Sequence, residues 1–213
     1  MEGHDGTFVV FEGIDGSGTS TQIQRYAAHL KAQRRVVHVT REPSGGPVGT
    51  MLRLALTHRL VLPRAFEAQT MALLFAADRL DHLAAEVEPH LRDGAVVLSD
   101  RYDLSSLAYQ SATAPTEDPE ATIAWIRTLN RHARRPDVTV VLDVSPEVAE
   151  SRRRARGGSA ELYDDEGLQA RLARAYRAAE ALVPGDRLIH IDGDLSLDEV
   201  TALVIAALEP HVV

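Results

Sequence analysis

The sequence predicts an α/β fold in which a five-stranded parallel sheet carries helices on both faces, giving three layers. Three observations predict it. Apolar, β-branched runs recur along the chain with helical patterns between them, and near-continuous apolar runs mark strands buried on both faces. A glycine-rich turn at residues 13 to 18 joins the first run directly to a helical pattern. Polar clusters then follow three of the runs, at the strand ends where parallel sheets gather their ligands.

Phe8 to Phe11 reads as the first strand, and Ser20 to Gln33 as a helix with Ile23, Ala27 and Leu30 on one face. Val36 to Val39 reads as the second strand, leading into Arg41-Glu42-Pro43. Gly45-Gly46-Pro47 breaks the chain before a helix near Val48 to Leu56, and Pro63 precedes a long helix around Phe66 to Glu88. Ala95 to Leu98 is the third strand, followed by Asp100-Arg101-Tyr102. Ser111 to Pro119, with two prolines and small polar residues, reads as an exposed loop. Val138 to Val144 and Leu188 to Ile191 supply the last strands. A chain of 213 residues buries a core without staples, so residues 1–213 are expected to form one domain.

The net charge of -8 argues against a general nucleic-acid or membrane-surface binder. No stretch approaches the roughly 20 apolar residues of a membrane span, so a soluble, cytoplasmic protein is expected, with no nucleic-acid or membrane partner. Cysteine is absent, which excludes disulfides and thiolate chemistry, and the nine histidines lack metal-ligand spacing.

Gly13-x-x-x-x-Gly18-x-Ser20, between a strand and a helix, has the form of a phosphate-binding loop, whose backbone N–H groups cradle a nucleotide's phosphates. Lysine normally precedes the serine, to reach the β- and γ-phosphates, but this chain has Thr19 there. Its only lysine, Lys31, stands twelve helical residues further on, ~18 Å away, and cannot substitute. A cation on the transferred phosphate must therefore come from arginine, whose planar fork suits phosphate oxygens. Losing one preorganised donor costs roughly 3 to 4 kcal/mol of barrier, which a catalyst survives.

Several residues fit this chemistry, each with an ordinary alternative. Asp100, closing an apolar strand beside the loop, suits Mg²⁺ or its water shell, or else caps a helix. Asp15 inside the loop needs a metal ion or a sugar hydroxyl before it. Phe75 and Arg79, four apart on a helix, share a face that suits a pyrimidine, though Phe75 beside Leu73 and Leu74 also reads as core. Arg152, Arg153, Arg154 and Arg156, before two glycines, read as a hinged cationic lid or as a solvated helix face.

Order and spacing make a further point. Phe11-Glu12-Gly13-Ile14-Asp15-Gly16-Ser17-Gly18, Thr40-Arg41-Glu42-Pro43, Leu74-Phe75-Ala76-Ala77-Asp78-Arg79 and Asp100-Arg101-Tyr102 occur in turn. Ser105-Ser106-Leu107-Ala108-Tyr109-Gln110, Pro136-Asp137 and the arginines ending at Arg156-Gly157 complete the set. Together they resemble the thymidylate kinase family over nearly the whole chain. The resemblance implies a P-loop NTPase-type three-layer sandwich with a short lid near residues 152–165. It implies transfer of the γ-phosphoryl of ATP to dTMP, giving dTDP and ADP in dTTP biosynthesis, with Mg²⁺ as cofactor and a homodimer packed through helices.

The same resemblance implies residue roles. Gly13, Ile14, Asp15, Gly16, Ser17, Gly18, Thr19, Ser20 and Thr21 would hold ATP, with Ser20 and Asp100 at the metal. Arg101 would meet the acceptor phosphate, with Arg53 as a second contact or a solvated side chain, and Asp15 would meet the sugar. Phe75, Arg79, Ser106 and Gln110 would read the base, Tyr109 would lie against the sugar, and Pro43 and Ser105 would complete the pocket. In one subgroup of the family a basic residue follows the loop's acid; in the other that position is glycine and the lid supplies the catalytic arginine. Gly16 puts this chain in the second, with Arg153 or Arg156 preferred beside Asp15 and Arg101 as catalytic groups. Two other readings stay open: a nucleotide-binding paralogue that has lost catalysis, and a kinase for another pyrimidine deoxynucleotide.

Overall fold

The computed structural model describes residues 6–63, 66–113, 118–156 and 166–212. Its sheet has the order β2-β3-β1-β4-β5, with β1 (Phe8–Glu12) central between β3 (Val96–Asp100) and β4 (Val138–Asp143). β2 (Val37–Arg41) and β5 (Leu188–Asp192) form the edges, and all four pairings are parallel. Phe11 and Arg41 both lie opposite Asp100, so the carboxyl ends of β1, β2 and β3 finish level with one another. Strand order reverses on either side of β1, which opens the crevice where such sheets bind ligands.

Alternation along β1 divides the core. Val9 and Phe11 pack against Ile23, Tyr26, Ala27 and Leu30 of α1 (Thr19–Ala32), while Phe8 and Val10 meet Leu83, Val87, Leu91 and Tyr102 on the other face. All of these side chains are buried. Each large one removes apolar surface worth about 1.5–3 kcal/mol from water, so both faces favour a continuous apolar strand.

Three boundaries differ from the sequence reading. The expected helix over 66–88 is α3 (Glu67–His82), one π-helical turn (Leu83–Val87) and α4 (Glu88–Arg92). Pro89 has no N–H to give to residue 85, which breaks the α-helical ladder there. The expected loop over 111–119 begins and ends in helix, residues 114–117 lying outside the described residues: α5 (Asp103–Thr113) keeps its last turn through a hydroxyl bond from Thr113 to the Tyr109 carbonyl at 2.9 Å. Asp118 then caps α6 (Pro119–Leu129), accepting from the Ala121 N–H at 2.9 Å, with Pro119 at the first helical position. Finally, β2 and β3 extend further than expected, making Arg41 and Asp100 strand residues.

The remaining helices are α2 (Pro47–Leu56), α7 (Pro146–Arg156), α8 (Glu166–Arg177), α9 (Ala179–Leu182) and α10 (Leu197–Leu208). Ser196 and Glu199 close a capping box on α10. The part of the expected lid at residues 157–165 lies outside the described residues.

Candidate active site

The loop from Gly13 to Gly18 turns tightly, the Ser17 N–H donating to the Ile14 carbonyl at 3.0 Å, and delivers the chain to α1. Gly18 caps that helix in the left-handed region with no side-chain cap, so the first-turn amides keep their positive dipole end toward an anion. Thr19 is buried at the head of the helix, whereas Ser20 and Thr21 are exposed. Ser20 Oγ donates to Asp100 Oδ2, and Asp100 Oδ1 is buried without a partner among the described residues. A hydroxyl, a carboxylate and an orphaned oxygen form a hard-donor set that fits Mg²⁺, which prefers one or two carboxylates together with water and phosphate.

Beside this loop, α2, α3 and α5 enclose a cavity at the carboxyl ends of β1, β2 and β3. Asp15, Pro43, Phe75, Arg79, Arg101, Ser105, Ser106, Tyr109 and Gln110 all line it, so nine of the expected substrate residues converge. Arg53 does not line it. Its guanidinium instead donates to the carbonyls of Pro43 (3.2 Å) and Ser44, bracing the loop after β2. Asp78 holds the same loop from α3, taking the Ser44 N–H at 2.8 Å and its hydroxyl at 2.6 Å. Gly49 permits this close approach, since a β-carbon there would sit 2.2 Å from the Ser44 carbonyl oxygen.

Arg79 is almost fully buried. It donates to Glu42 at 2.6 Å, to Ser106 Oγ at 3.1 Å and to Asn130 Oδ1, while its Nε–H has no partner among the described residues. Burial alone would lower its pKa, but Glu42 and Asp103 outweigh burial and keep the guanidinium charged. Gln110 Oε1, also on the cavity, is likewise buried and unpaired among the described residues. Unspent donors and acceptors in a largely apolar cavity are what a planar polar ring would use.

Arg101 occupies a left-handed backbone position, φ 75°, uncommon for a residue with a side chain. Its guanidinium pairs with Asp15 at 2.5 Å and lies over the Tyr109 ring, 5.2 Å from the centroid. Tyr109 donates to the other Asp15 oxygen at 3.0 Å. Thus Asp15 answers to Arg101 and Tyr109, partners the sequence reading did not offer it. Below them Glu12 is fully buried, accepting from the Tyr102 N–H (2.8 Å), the Ser105 N–H (3.1 Å) and the Ser105 hydroxyl (2.6 Å). Desolvation raises its pKa to about 7, against the opposing pull of Arg101 and these hydrogen bonds.

The arginines of α7 approach from the other side. Arg153 donates to the Asp15 carbonyl, and Arg152 bridges the carbonyls of Ser17 (3.3 Å) and Gly193 (2.9 Å). Arg154 pairs with Glu150 one turn back along its own helix, in contact with solvent. Arg156 ends α7, and its side chain lies outside the described residues. Asp137 acts away from the cavity, accepting the Phe8 N–H at 2.7 Å and fixing the start of β1. Sequence reasoning gave no role to Glu12, Glu42 or Tyr176, of which only the two acids had a signal, in their motifs.

This arrangement has relatives. The thymidylate kinase family model matches residues 11–204. The chain belongs to the thymidylate kinase family. Among curated relatives it is 41% identical to a probable thymidylate kinase of Pyrobaculum aerophilum, over 83% of this chain and 85% of that one. It is 39% identical to the thymidylate kinase of Bifidobacterium longum (strain NCC 2705), over 94% and 96% of the two chains. A thymidylate kinase of Dinoroseobacter shibae is 39% identical over 95% and 96%. As a family member the chain is of the nucleoside-monophosphate kinase type. Among the described residues no helix is long and apolar enough to cross a membrane.

Proposed function

We propose that the chain transfers the γ-phosphoryl group of ATP to dTMP, giving dTDP and ADP. The observation that carries this reading is the single cavity in which Phe75, Arg79, Ser106 and Gln110 stand beside Asp15 and Arg101, next to the phosphate loop. Phe75 offers a ring to stack on the base; the Arg79 Nε–H and the Gln110 amide offer hydrogen bonds to its edge. Arg101 neutralises the acceptor phosphate, and Asp15 exchanges its bond from Tyr109 for one from the sugar. An oxygen of the acceptor phosphate, already ionised, attacks the γ-phosphorus of ATP while the bond to the β–γ bridging oxygen breaks and ADP leaves. No general base is required, so catalysis rests on alignment and cations.

Ser20 and Asp100 would hold Mg²⁺, which would supply positive charge to offset that of the phosphates. Arg153, seated on the loop, and Arg156 at the end of α7 supply cations in place of the lysine absent at position 19. Arg53 serves the substrate indirectly, through the Pro43 loop. Met51 and Leu54 of α2 and Leu73 and Leu80 of α3 are exposed on adjoining helices, which supports a homodimer through that face. The cytoplasm is the expected setting.

Release of ADP, coupled to a dehydrogenase signal, with dTMP, dUMP, dCMP and dGMP offered in turn, tests the reading. Turnover greatest with dTMP is expected. Thr19 favours one other reading, a nucleotide-binding relative without useful catalysis, and tight dTMP binding with no ADP release would decide for it.

A further inference from the structure

Tyr176 lies on α8, the helix that follows residues 157–165, far in sequence from the segments that mark the site. Its ring is buried with Leu168 and Leu172, yet its hydroxyl meets three polar atoms of the cavity floor. It donates to Glu12 Oε2 at 3.1 Å, accepts from Arg101 Nη1 at 3.2 Å and lies 2.9 Å from Ser105 Oγ. Ser105 makes the matching pair of bonds, donating to the same Glu12 oxygen at 2.6 Å and accepting from the same Arg101 nitrogen at 3.1 Å. With Glu12 ionised, one arrangement of the protons makes all four of these bonds at once. The two hydrogens of Nη1 go to the two hydroxyl oxygens, and both hydroxyl hydrogens go to the carboxylate. The result is a closed ring in which an ionised Glu12 turns both hydroxyl lone pairs toward Arg101.

We propose that the Tyr176 hydroxyl positions Arg101 for the acceptor phosphate, so that the seating of α8 against the cavity floor sets the place of the cation. The proposal rests on the reading that Arg101 takes that phosphate. Arg101 needs such a brace, because its backbone is held in the left-handed region and Asp15 draws its other nitrogen away at 2.5 Å. Protonating Glu12 changes the ring: the carboxyl then donates to one hydroxyl, that hydroxyl's hydrogen passes across the 2.9 Å Ser105–Tyr176 contact, and the negative charge that orders the ring beneath Arg101 is lost. The titratable groups around Glu12 are Arg101 and Tyr176, with Asp15 and Tyr109 joined through Arg101. Activity that depends on the ring therefore falls on the acid side as Glu12 takes up its proton.

A double-mutant cycle between Tyr176→Phe and Arg101→Lys, read as kcat and KM for dTMP, tests this. Tyr176→Phe is expected to lower kcat/KM about tenfold or more in the parent, and less than about threefold once Arg101 is lysine, because its effect passes through the guanidinium. It should also move the acid limb of the pH profile upward, since the carboxylate loses a donor. Equal losses in both backgrounds with an unmoved acid limb would mean that Tyr176 only packs α8, and would overturn the proposal. Parent-level activity in Arg101→Lys alone would instead overturn the reading of Arg101. Should Tyr176→Phe melt below assay temperature, Ser105→Ala probes the sister bonds, and the same non-additivity with Arg101→Lys is required.

Discussion

The Arg153 side chain lies across Gly16: a β-carbon built on residue 16 would stand 3.1 Å from Arg153 Cγ and 2.4 Å from the Ala149 carbonyl oxygen. Helix and phosphate loop thus meet at backbone level, with no room for a side chain between them. The loop also turns through φ +90° at this glycine. Gly16→Ala is therefore expected to cost about 1–3 kcal/mol in urea unfolding and to lower kcat at least about tenfold, because α7 or the loop must move. Arg153→Ala should not repair it, the tighter contact being to backbone. A variant with the parent's unfolding midpoint would show that the contact is slack.

That contact also brings a cation to the loop lacking lysine. Arg153→Ala is expected to reduce kcat by roughly 10²–10³, the usual loss for one preorganised donor at a reacting phosphate. Thr19→Lys should recover part of this in the Arg153→Ala background and add little to the parent. If lysine accelerates both by the same factor, measured as ADP release, the two cations act independently and arginine does not compensate for Thr19.

The sequence made the sheet legible because both its faces are covered, which leaves Val9 and Val10, and Val140, Val141 and Leu142, in unbroken apolar runs. The cavity was legible because short contiguous segments at strand ends and helix faces carry most of it. Tyr176 was not. On α8 it follows Leu168 and Leu172 at four-residue steps, the spacing of an ordinary core face, and only tertiary packing sends its hydroxyl to Glu12. Arg53 was ambiguous for a related reason: an arginine on that helix face reaches either a ligand or the Pro43 loop, and the sequence does not separate the two.

The Glu42–Arg79 pair is buried on both sides, 2.6 Å apart, under the cavity where the base is proposed to sit. Glu42→Gln leaves Arg79 charged without its counter-ion, and removal of one member of a buried pair costs about 3–5 kcal/mol. The melting temperature should fall, and dTMP affinity measured by calorimetry should fall with it as the guanidinium shifts. Adding Arg79→Gln should return part of the stability but none of the affinity. Affinity at the parent's level in the double variant would remove Arg79 from base recognition.

Glu12 gives a pH signature that can be separated from catalysis. Its pKa is raised by desolvation from 4.5 to about 7, so between those values the folded protein keeps a proton that the unfolded chain has released. A state that binds more protons loses ground as pH rises. Stability referred to Glu12→Gln should accordingly decline from pH 4.5 to pH 7 and level off above, by an amount on the order of 3 kcal/mol. Gln cannot titrate and cancels the contribution of every other group. Melting temperatures of both proteins from pH 4.5 to 8.5 measure the difference directly. A difference that is flat, or that favours the parent at high pH, would mean that Glu12 is ionised throughout; the four donors around it would then outweigh its burial.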